Sequence, residues 1–592
     1  MAQTDARDQT GTAPAGVSPD EGADRPLVVV SNRLPVERRR GEDGQWRWEP
    51  SSGGLVTALE PVVEQTGGVW IGWNGIASDA QTRAGRAGSA EAAGRDDEDA
   101  SGSEDGESSP DAPTEPFEVE GPAAGKPFTI VPVALSAQEV ERYYEGFSNG
   151  TLWPLYHDVI APPEYHRIWW DAYVHVNRRF AEAAARTAAP GSRVWIQDYQ
   201  LQLVPQMLRE LRPDVSIGFF DHIPFPPEGL FRQLPWRRLI LQGLLGADLI
   251  GFQRAEDARN FAQAVRRLLG WTVHRGTVEV PLEDGQSRPG GAALVEERER
   301  EQGRDAARDR TREDCRPGMR SAHFGAFPIS VDFASWDRLA NRSDVRARAA
   351  EIRRELGNPR TVLLGVDRLD YTKGIAERLK AYGELLDEHA LDVQDAVLIE
   401  MAIPTREGVS AYQDLREEVE VATSRINGEH STVGRTAVQY LHRNLPRAEV
   451  AALYEAADIL LVTSLRDGMN LVAKEYVAAS VDVDGVLILS EFTGAADELG
   501  RQALMVNPHD VDDIKTTILR AVGMAPRERS HRMRRLRRTV RIHDVAAWSD
   551  GFLAELERVA WAVPVSTGAS GAGAGSGGAG GARSGSGEGR PA

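Results

Sequence analysis

Asp467, Lys474 and Glu475 surround a short loop near the end of the chain, where they could hold a charged ligand. The aliphatic run 457–464 predicts a strand buried on both faces, and the apolar spacing after the loop predicts a helix that begins near Asn470. Because the first backbone N–H groups of a helix are unpaired, they attract anions such as a diphosphate. The motif suits a nucleotide-sugar, although a helix-capping Asp with a surface Lys–Glu pair is the commoner use of one isolated motif.

Polar side chains also follow predicted strands in the first half of the chain. Arg33 follows the apolar run 27–30, and Asp198 and His222 follow two later apolar runs. An arginine at such a strand end could bind phosphate through two parallel hydrogen bonds. Taken singly, the arginine could be a surface residue and the histidine a structural one. Two successive strand ends that carry Asp and His favour a functional site, because ligands of parallel sheets bind beyond the carboxyl ends of the strands.

Three cations follow predicted strands in the second half of the chain. Arg368 and Lys373 lie five residues apart across a strand-to-helix loop, and Arg406 follows the next strand. The first two could stabilise negative charge on a departing diphosphate. The alternative is a solvated pair of loop charges. The pattern therefore predicts an anion site in the second half as well.

Two weaker signals come earlier in the chain. Gly53 and Gly54 precede a predicted helix and would let the backbone approach a ligand, although a glycine pair is also an ordinary turn. The segment 143–154 is rich in aromatic residues, among them Tyr144 and Trp153. Such rings could stack on sugar faces, although core packing is their more common use.

The elements that must position these residues alternate between strands and helices. Helices are predicted over 164–188 and 255–269. Twelve strands are predicted at 27–30, 69–71, 128–133, 194–196, 216–220, 249–252, 362–366, 397–402, 438–441, 459–462, 486–489 and 503–506. The alternation predicts an α/β fold with two parallel-sheet domains, and the natural ligand site is the cleft between them.

Composition excludes several classes of protein. The net charge of the 592 residues is −20, which argues against nucleic acid or an anionic membrane as a partner. The single Cys315 excludes an internal disulfide framework and a cysteine-rich zinc site. The chain has no run of 18 or more apolar residues, and its N-terminus is polar and acidic. We therefore expect a cytoplasmic enzyme.

Segments poor in large apolar residues interrupt the pattern. Residues 77–125 carry thirteen acidic residues and three Arg, a net charge of −10. We predict disorder there and in the tails 1–24 and 565–592, because such segments cannot bury enough apolar surface to offset chain entropy. A charged insertion at about 282–320 is predicted to be partly helical over 295–312.

Five motifs, taken in this order, resemble the trehalose-6-phosphate synthase family and are very specific together. The motifs are VSNRLP at 30–35, WIQDY at 195–199, HIPFP at 222–226, VDRLDYTKG at 366–374 and RDGMNLVAKEY at 466–476. The resemblance covers roughly residues 27–561 apart from the two insertions, and only the low-complexity tail follows it.

The resemblance implies a GT-B glycosyltransferase, built from two Rossmann-like β/α/β domains that face each other across a cleft. Such an enzyme moves glucose from UDP-glucose or GDP-glucose to the anomeric hydroxyl of glucose 6-phosphate, with retention, and gives α,α-trehalose 6-phosphate. It needs no cofactor and no metal in the site, and it could form a homo-oligomer. The acceptor domain would span 25–335 and the nucleotide-sugar domain 336–540, with a C-terminal helix at 541–564 that packs back on the first domain.

The resemblance also assigns roles to individual residues. The residues with catalytic roles would be Asp467, His222, Arg368 and Lys373, of which Asp467 and His222 would contact the transferring glucose. The residues that would hold the acceptor and its phosphate are Arg33, Tyr144, Trp153, Asp198 and Arg406. The residues that would hold the donor are Gly53, Gly54, Arg368, Lys373, Leu445, Leu471, Val472, Ala473, Lys474 and Glu475. The implied mechanism is a front-face displacement, in which the departing phosphate oxygen accepts the acceptor's proton.

Two questions stay open on the sequence alone. Leu445 stands where many members of the family have an aromatic residue beside the donor base, so uridine and guanosine donors are both open. The acceptor could instead be glycerol phosphate or a cyclitol phosphate, although Tyr144 and Trp153 favour glucose 6-phosphate. A non-catalytic sensor of sugar phosphates is disfavoured, because such a protein would be free to lose Arg368 and Lys373.

Overall fold

Two β-sheets covered by helices form the structure, a computed structural model that describes residues 27–40, 46–50, 54–78, 115–119, 127–282, 319–406 and 409–560. Both predicted disordered tails, most of the acidic segment 77–125 and the predicted helix at 295–312 lie outside the described residues.

The first sheet has ten strands among the described residues. In spatial order they are Val273–His274, Thr277–Pro281, Met319–Ala326, Leu249–Phe252, Ser216–Asp221, Arg193–Gln197, Leu27–Arg33, Val69–Trp73, Phe128–Pro132 and Phe117–Val119. The seven strands in the middle run parallel, and antiparallel strands close both edges. The middle strands are aliphatic and buried because helices cover both faces of a parallel sheet.

The second sheet is wholly parallel over its six described strands. In spatial order they are Val438–Leu441, Ala396–Ile403, Thr361–Arg368, Ile459–Val462, Val486–Ser490 and Leu504–Val506. A separate hairpin pairs Val36–Arg40 with Trp46–Pro50. The α/β class and the two parallel sheets predicted from the sequence are confirmed.

All twelve predicted strands are present, and several strands toward the two ends of the first sheet were missed. The missed strands of the first sheet include Thr277–Pro281 and Met319–Ala326, in which buried residues alternate with half-buried ones. Such short alternating runs give a weaker signal than a wholly apolar strand. Two predictions need correction, because the insertion at 282–320 ends in strand Met319–Ala326 and the segment predicted disordered at 77–125 contains strand Phe117–Val119.

Helices connect the strands of both sheets. Before the second sheet they include Gly54–Thr66, Ala137–Glu139, Trp153–Tyr156, Arg167–Thr187, Val204–Leu211, Glu228–Phe231, Arg237–Leu244, Ala255–Ala264, Phe333–Ala340 and Ser343–Glu355. Later ones are Ile375–Asp387, Ser410–His430, Arg447–Ala456, Leu471–Ala479, Ala495–Leu499, Val511–Val522, Pro526–Ile542 and Val545–Val559. The π-helices are Val140–Leu152 and Val265–Leu269, and the 3₁₀ turns are Tyr199–Leu201 and Tyr371–Lys373. Both predicted helices, 164–188 and 255–269, are confirmed.

The last helix, Val545–Val559, packs against the first sheet. The ring of Phe552 stacks on Trp195 with 4.7 Å between ring centroids, and Trp548 lies 5.0 Å from the same ring. Gly218 makes room for this contact, because a Cβ there would lie 2.8 Å from the Phe552 ring. The predicted domain limits remain predictions. None of the helices in the described part of the chain is both long and apolar enough to cross a membrane.

Candidate active site

The carboxyl ends of the parallel strands in both sheets face a common cleft. We call the residues beyond the first sheet the first wall of the cleft, and those beyond the second sheet the second wall. The walls touch, since Gly468 of the second wall approaches His222 so closely that a Cβ would lie 2.5 Å from His222 O. The Arg406 guanidinium of the second wall also donates to the Tyr199 hydroxyl of the first at 3.2 Å.

Asp467 lies on a loop between a buried strand and a helix, as the sequence predicts. The helix begins after Asn470, whose side chain accepts a hydrogen bond from Ala473 N at 3.0 Å. Asn470 has φ +61°, a backbone region that Asn enters more readily than most residues. This cap uses the N–H of Ala473, so those of Leu471 and Val472 are available to an anion.

Lys373 and Asp467 form a buried ion pair at the centre of the second wall. Lys373 Nζ lies 2.6 Å from Asp467 Oδ2, and Asn470 Nδ2 donates to the same oxygen at 3.2 Å. Burial alone would raise the pKa of Asp467, but the ammonium of Lys373 outweighs it, and the pKa lies below its usual value. The alternative of a solvated loop charge is therefore wrong for Lys373.

Gly374 lets the loop after Lys373 turn back toward this ion pair. It has φ +61°, and a Cβ there would lie only 2.1 Å from Thr463 O of the neighbouring strand. Only glycine meets both conditions without moving the backbone. The glycine therefore fixes where the Lys373 ammonium lies.

Arg368 is the more open cation of this loop. Its side chain is 42% exposed, and its guanidinium lies 5.2 Å from the ring of Trp153 and 4.0 Å from Asp370 Oδ2. It ends strand Thr361–Arg368, so its backbone is fixed while its charge faces the cleft. This cation can therefore turn toward an anionic ligand.

Arg406 is held by several partners at once. Its guanidinium lies 3.8 Å over the ring of Trp153 and donates to Asp370 Oδ2 at 2.9 Å and to the hydroxyls of Tyr412 and Tyr199. Burial would raise the pKa of Asp370, but the nearby cations, Arg406 foremost, hold it at about 2. Arg406 is thus a paired cation close above an indole ring. Its backbone has φ +48°.

Asp198 lies across the cleft on the first wall, with φ +75° in its backbone. Its carboxylate accepts a hydrogen bond from His222 N at 3.2 Å. Burial raises the pKa of Asp198 to about 6, although Arg368 and Arg406 oppose the shift. A carboxyl with such a pKa changes charge just below neutral pH.

His222 is buried, and its ring packs on Phe220 with 4.6 Å between centroids. The Nε2–H group donates to Gln197 Oε1 at 2.9 Å. Burial lowers the pKa of His222 to about 3, so the ring is neutral near pH 7. Among the described residues Nδ1 has no hydrogen-bond partner, so it can accept a hydrogen bond from a sugar hydroxyl.

Arg33 and Tyr144 lie together at the end of the first wall. The exposed guanidinium of Arg33 lies 4.7 Å from the ring of Trp73, and Trp73 contacts Tyr144 edge to face at 5.8 Å. Trp153 is buried against both Arg406 and His157. The aromatic segment therefore serves the core and the cleft together.

The side chains of Lys474 and Glu475 are bound within the protein. Lys474 is buried, where its ammonium donates to Ile329 O at 2.7 Å and pairs with Glu498. Glu475 is half-buried and accepts a hydrogen bond from the Tyr454 hydroxyl at 2.9 Å. The alternative of a surface Lys–Glu pair is therefore wrong.

Three further residues were predicted to contact the donor, and their positions say less about the site. Gly53 lies outside the described residues, and Gly54 is the first residue of helix Gly54–Thr66. Leu445 is half-buried between the strand and the helix of the second sheet that flank it, and it packs on the apolar core.

Several residues of the site received no role from the sequence. Asp370 and Tyr199 lie inside motifs at 366–374 and 195–199, so those motifs were a signal for them. Gln197 was present in the second motif, but its bond to His222 depends on the pairing of two strands. Tyr412 gave no signal, because one tyrosine in a helical stretch is more often a core residue.

The cleft as a whole suits ligands with two anionic groups and several hydroxyls. Its second wall offers Arg368, Lys373 and a helix N-terminus, and Arg406 lies opposite Asp198. Neutral His222 and the carboxylates can bond to hydroxyls, while the aromatic rings give sugar faces an apolar surface.

Comparisons with known proteins agree with this geometry. Residues 25–558 match the family model described as Glycosyltransferase family 20. A trehalose-6-phosphate synthase of Mycolicibacterium gilvum is 50% identical over 552 residues, which are 93% of this chain and 97% of that protein. Among solved structures, a UDP-forming α,α-trehalose-phosphate synthase of Burkholderia xenovorans in complex with glucose 6-phosphate is 30% identical, with a TM-score of 0.71, and covers 90% of this chain and 100% of that one. A structure from E. coli bound with UDP-2-fluoro glucose is 29% identical, with a TM-score of 0.70, and covers 90% and 99%.

Proposed function

Because this chain belongs to glycosyltransferase family 20, we propose that it makes α,α-trehalose 6-phosphate by transferring glucose from UDP-glucose to glucose 6-phosphate with retention. The observation that carries the proposal is the meeting of two anion sites in one cleft. One is formed by Arg368, Lys373 and the helix N-terminus after Asn470, and the other by Arg406 above Trp153. A donor diphosphate and an acceptor phosphate need two such sites.

On the acceptor side, we assign glucose 6-phosphate to the space between Arg33, Tyr144 and Arg406. Arg406 is already oriented by its three partners, so it can bind phosphate with little loss of side-chain entropy. Trp153 supports the guanidinium from behind. Asp198 would accept hydrogen bonds from the acceptor hydroxyls as a carboxylate.

On the donor side, we assign the diphosphate to Arg368, Lys373 and the N–H groups of Leu471 and Val472. Asp467 would accept from hydroxyls of the transferring glucose while Lys373 holds it ionised. The backbone of the helix start, rather than the buried ammonium of Lys474, would face the donor. Gly53, Gly54 and Leu445 remain proposed donor contacts.

The proposed reaction is a front-face displacement. Negative charge grows on the diphosphate as the bond to glucose breaks, and the fixed cations interact more strongly with that charge than with the ground state. The departing phosphate oxygen takes the proton of the attacking hydroxyl, so the second sugar enters on the same face. His222 is neutral and acts as a hydrogen-bond partner rather than as a general acid, since its low pKa means that the ring carries no second, acidic proton at pH 7.

Three finer features belong to the same proposal. We place the division between acceptor and nucleotide-sugar domains near residue 335, between strands Met319–Ala326 and Thr361–Arg368. We expect the enzyme to work in the cytoplasm, where both sugar phosphates are available. A homo-oligomer is compatible with the cleft, because both walls come from one chain.

The test is a product assay with purified protein. Glucose 6-phosphate is incubated with UDP-glucose or GDP-glucose, and the product is identified by mass and by its anomeric NMR signals. We expect α,α-trehalose 6-phosphate with UDP-glucose. Glycerol phosphate and inositol phosphate serve as control acceptors. Turnover with either of them, and none with glucose 6-phosphate, would contradict the proposal.

A further inference from the structure

A buried arginine joins the two walls at a point to which no substrate is assigned. Arg466 is 6% exposed and directly precedes Asp467 on the second wall. Its Nε lies 3.2 Å from Oδ2 of Asp158 on the first wall. A guanidinium taken out of water is costly unless anions accompany it. Asp158 provides one such anion through charge attraction, since Nε makes no hydrogen bond among the described residues. Buried Asp257 of the first wall provides a second, because the Arg466 charge opposes the rise that burial causes in the pKa of Asp257.

On the first wall, Asp158 is rigidly connected to the acceptor side. It follows Trp153 by five residues. The ring of His157, between them, is tilted against the indole with 4.1 Å between centroids, and its Nδ1 bonds to Trp153 O at 2.8 Å. Asp158 and Val159 have φ of +55° and +60°, and a β-branched residue rarely adopts such values. The turn is held by a hydrogen bond from Val159 N to Pro154 O at 2.9 Å. Strain retained beside a ligand site commonly has a functional reason.

On the second wall, Arg466 is connected to the donor side in a similar way. The adjoining Leu465 donates its N–H to Thr372 O at 2.8 Å, which ties this loop to the turn that carries Lys373. Asp467, the next residue, pairs with Lys373 at 2.6 Å. A displacement of Arg466 would therefore move the carboxylate and the ammonium assigned to the donor.

We propose that the Asp158–Arg466 ion pair is a latch through which the acceptor pocket and the donor pocket strengthen each other's binding. The proposed function assigns no substrate to either residue, so we treat both as positioning residues. The inference rests on the proposed function for the identity of the two ligands. If each substrate binds better to the latched cleft, each must raise the affinity for the other by the same factor, and such factors are about 5–150 in proteins.

Asp158→Asn is the primary test variant. Asparagine tolerates positive φ and has nearly the same shape, so the substitution removes the charge and keeps the turn. The dissociation constant of UDP is measured by calorimetry with and without saturating glucose 6-phosphate. In the wild type we expect UDP to bind at least about fivefold more tightly with the acceptor present. In the variant this ratio should fall toward one, while UDP alone binds within about twofold of the wild type, as expected for an exposed residue to which no substrate is assigned.

Asp497→Asn is the matched control. Arg254 and Asp497 also join the first-sheet and second-sheet sides, through two hydrogen bonds of 2.8 and 2.9 Å, but neither residue adjoins Trp153 or Asp467. The binding ratio should stay at its wild-type value in this variant. Asp158→Arg combined with Arg466→Asp should restore part of the ratio, because the pair is re-formed with its charges exchanged.

The outcomes separate the latch from its alternatives. The latch is supported if the ratio of UDP dissociation constants falls toward one in Asp158→Asn and stays at its wild-type value in Asp497→Asn. An equal fall in Asp497→Asn would overturn the latch, because it would show only that any contact between the walls matters. The latch would also be overturned if Asp158→Asn kept the wild-type ratio, or if glucose 6-phosphate did not change UDP binding in the wild type. If circular dichroism shows that Asp158→Asn is unfolded, Asp158→Gly makes the same test, because glycine adopts positive φ freely. The two proposals fail separately, because the binding ratio is measured without turnover. If the wild-type protein forms no disaccharide phosphate, the proposed function is contradicted, and the binding ratio still decides the latch.

Discussion

Two loops of the second wall end beside the same indole ring, but they hold their cations differently. The loop after strand Thr361–Arg368 leaves the Arg368 side chain 42% exposed and 4.0 Å from Asp370. The loop after strand Ala396–Ile403 holds Arg406 with its side chain 4% exposed and bonded to Asp370 and two tyrosines. A cation with few protein partners can give its charge to a ligand, while an engaged one chiefly fixes geometry. Arg368 is therefore suited to adjusting to the growing charge and Arg406 to placing the acceptor. Lys373, on the first loop but paired with Asp467, is a fixed cation like Arg406.

Lys373→Ala should give the largest effect, because Lys373 is both a donor cation and the partner of Asp467. We expect kcat to fall by about 10²–10³ as a fixed stabilising group is lost. Stability should fall by about 3–5 kcal/mol, because the buried carboxylate of Asp467 is left unpaired. Steady-state kinetics with both substrates varied and urea unfolding measure the two effects. Arg368→Ala is the control: it should lower kcat without the stability loss, and wild-type turnover in either variant would reject the role.

Arg406→Ala should separate the second loop from the first. We expect the KM for glucose 6-phosphate to rise about 10–100-fold, which corresponds to the roughly 1.5–3 kcal/mol of a hydrogen bond to a charged group. The KM for the donor should change little, because Arg406 faces the acceptor side. Initial rates over a grid of both substrates decide this. A fall in donor affinity instead would place Arg406 with the wrong substrate.

The first wall should show its contribution as a pH dependence. The carboxylate of Asp198 has a pKa of about 6, so below that pH it becomes protonated, loses its negative charge, and turns one of its two acceptor oxygens into an O–H donor. We expect kcat/KM for glucose 6-phosphate to fall as the pH falls through about 6. The acceptor phosphate also titrates near pH 6, and it does so for both proteins. The useful quantity is therefore kcat/KM of the wild type divided by kcat/KM of Asp198→Asn at each pH. That ratio should rise with pH and level off above about 7, and a ratio constant between pH 5 and 8 would contradict the role.

Removal of residues 79–114 should have the smallest effect. The stretch is acidic and poor in large apolar residues, so it adds little to a packed core or to either loop of the second wall. We expect kcat/KM to stay within about twofold, the size of an ordinary surface change. The deletion leaves strand Phe117–Val119 in place. Circular dichroism and kinetics check it, and loss of the folded spectrum would show that the stretch is needed.

Local signals predicted the parts of the site that depend on neighbours in the chain. The cap at Asn470 and the buried strand before Asp467 were predicted because capping and apolar runs act over a few residues. The ends of the middle strands were predicted for the same reason. Strands toward the ends of the first sheet, such as Thr277–Pro281, were missed because partial burial gives them a mixed sequence.

Contacts between distant segments could not be predicted in this way. Trp153 and Arg406 are separated by about 250 residues, and nothing in either motif indicates that the guanidinium lies on the indole. Lysine ordinarily lies in solvent, so the burial of Lys373 and Lys474 follows only from the carboxylates that meet them in the fold. Sequence signals thus indicated candidate residues at the strand ends that line the cleft, and they could not predict which of those residues pair with each other.

Gly468 makes the separation of the two walls an adjustable quantity. A single methyl group there would meet His222 O at 2.5 Å, so any larger residue acts as a wedge at the bottom of the cleft. A series from Gly to Ala to Val would hold the halves apart by increasing amounts without touching a charged group. The distance between the two walls would then be set by the choice of side chain at residue 468. Measuring kcat across the series would show how strongly catalysis depends on that distance.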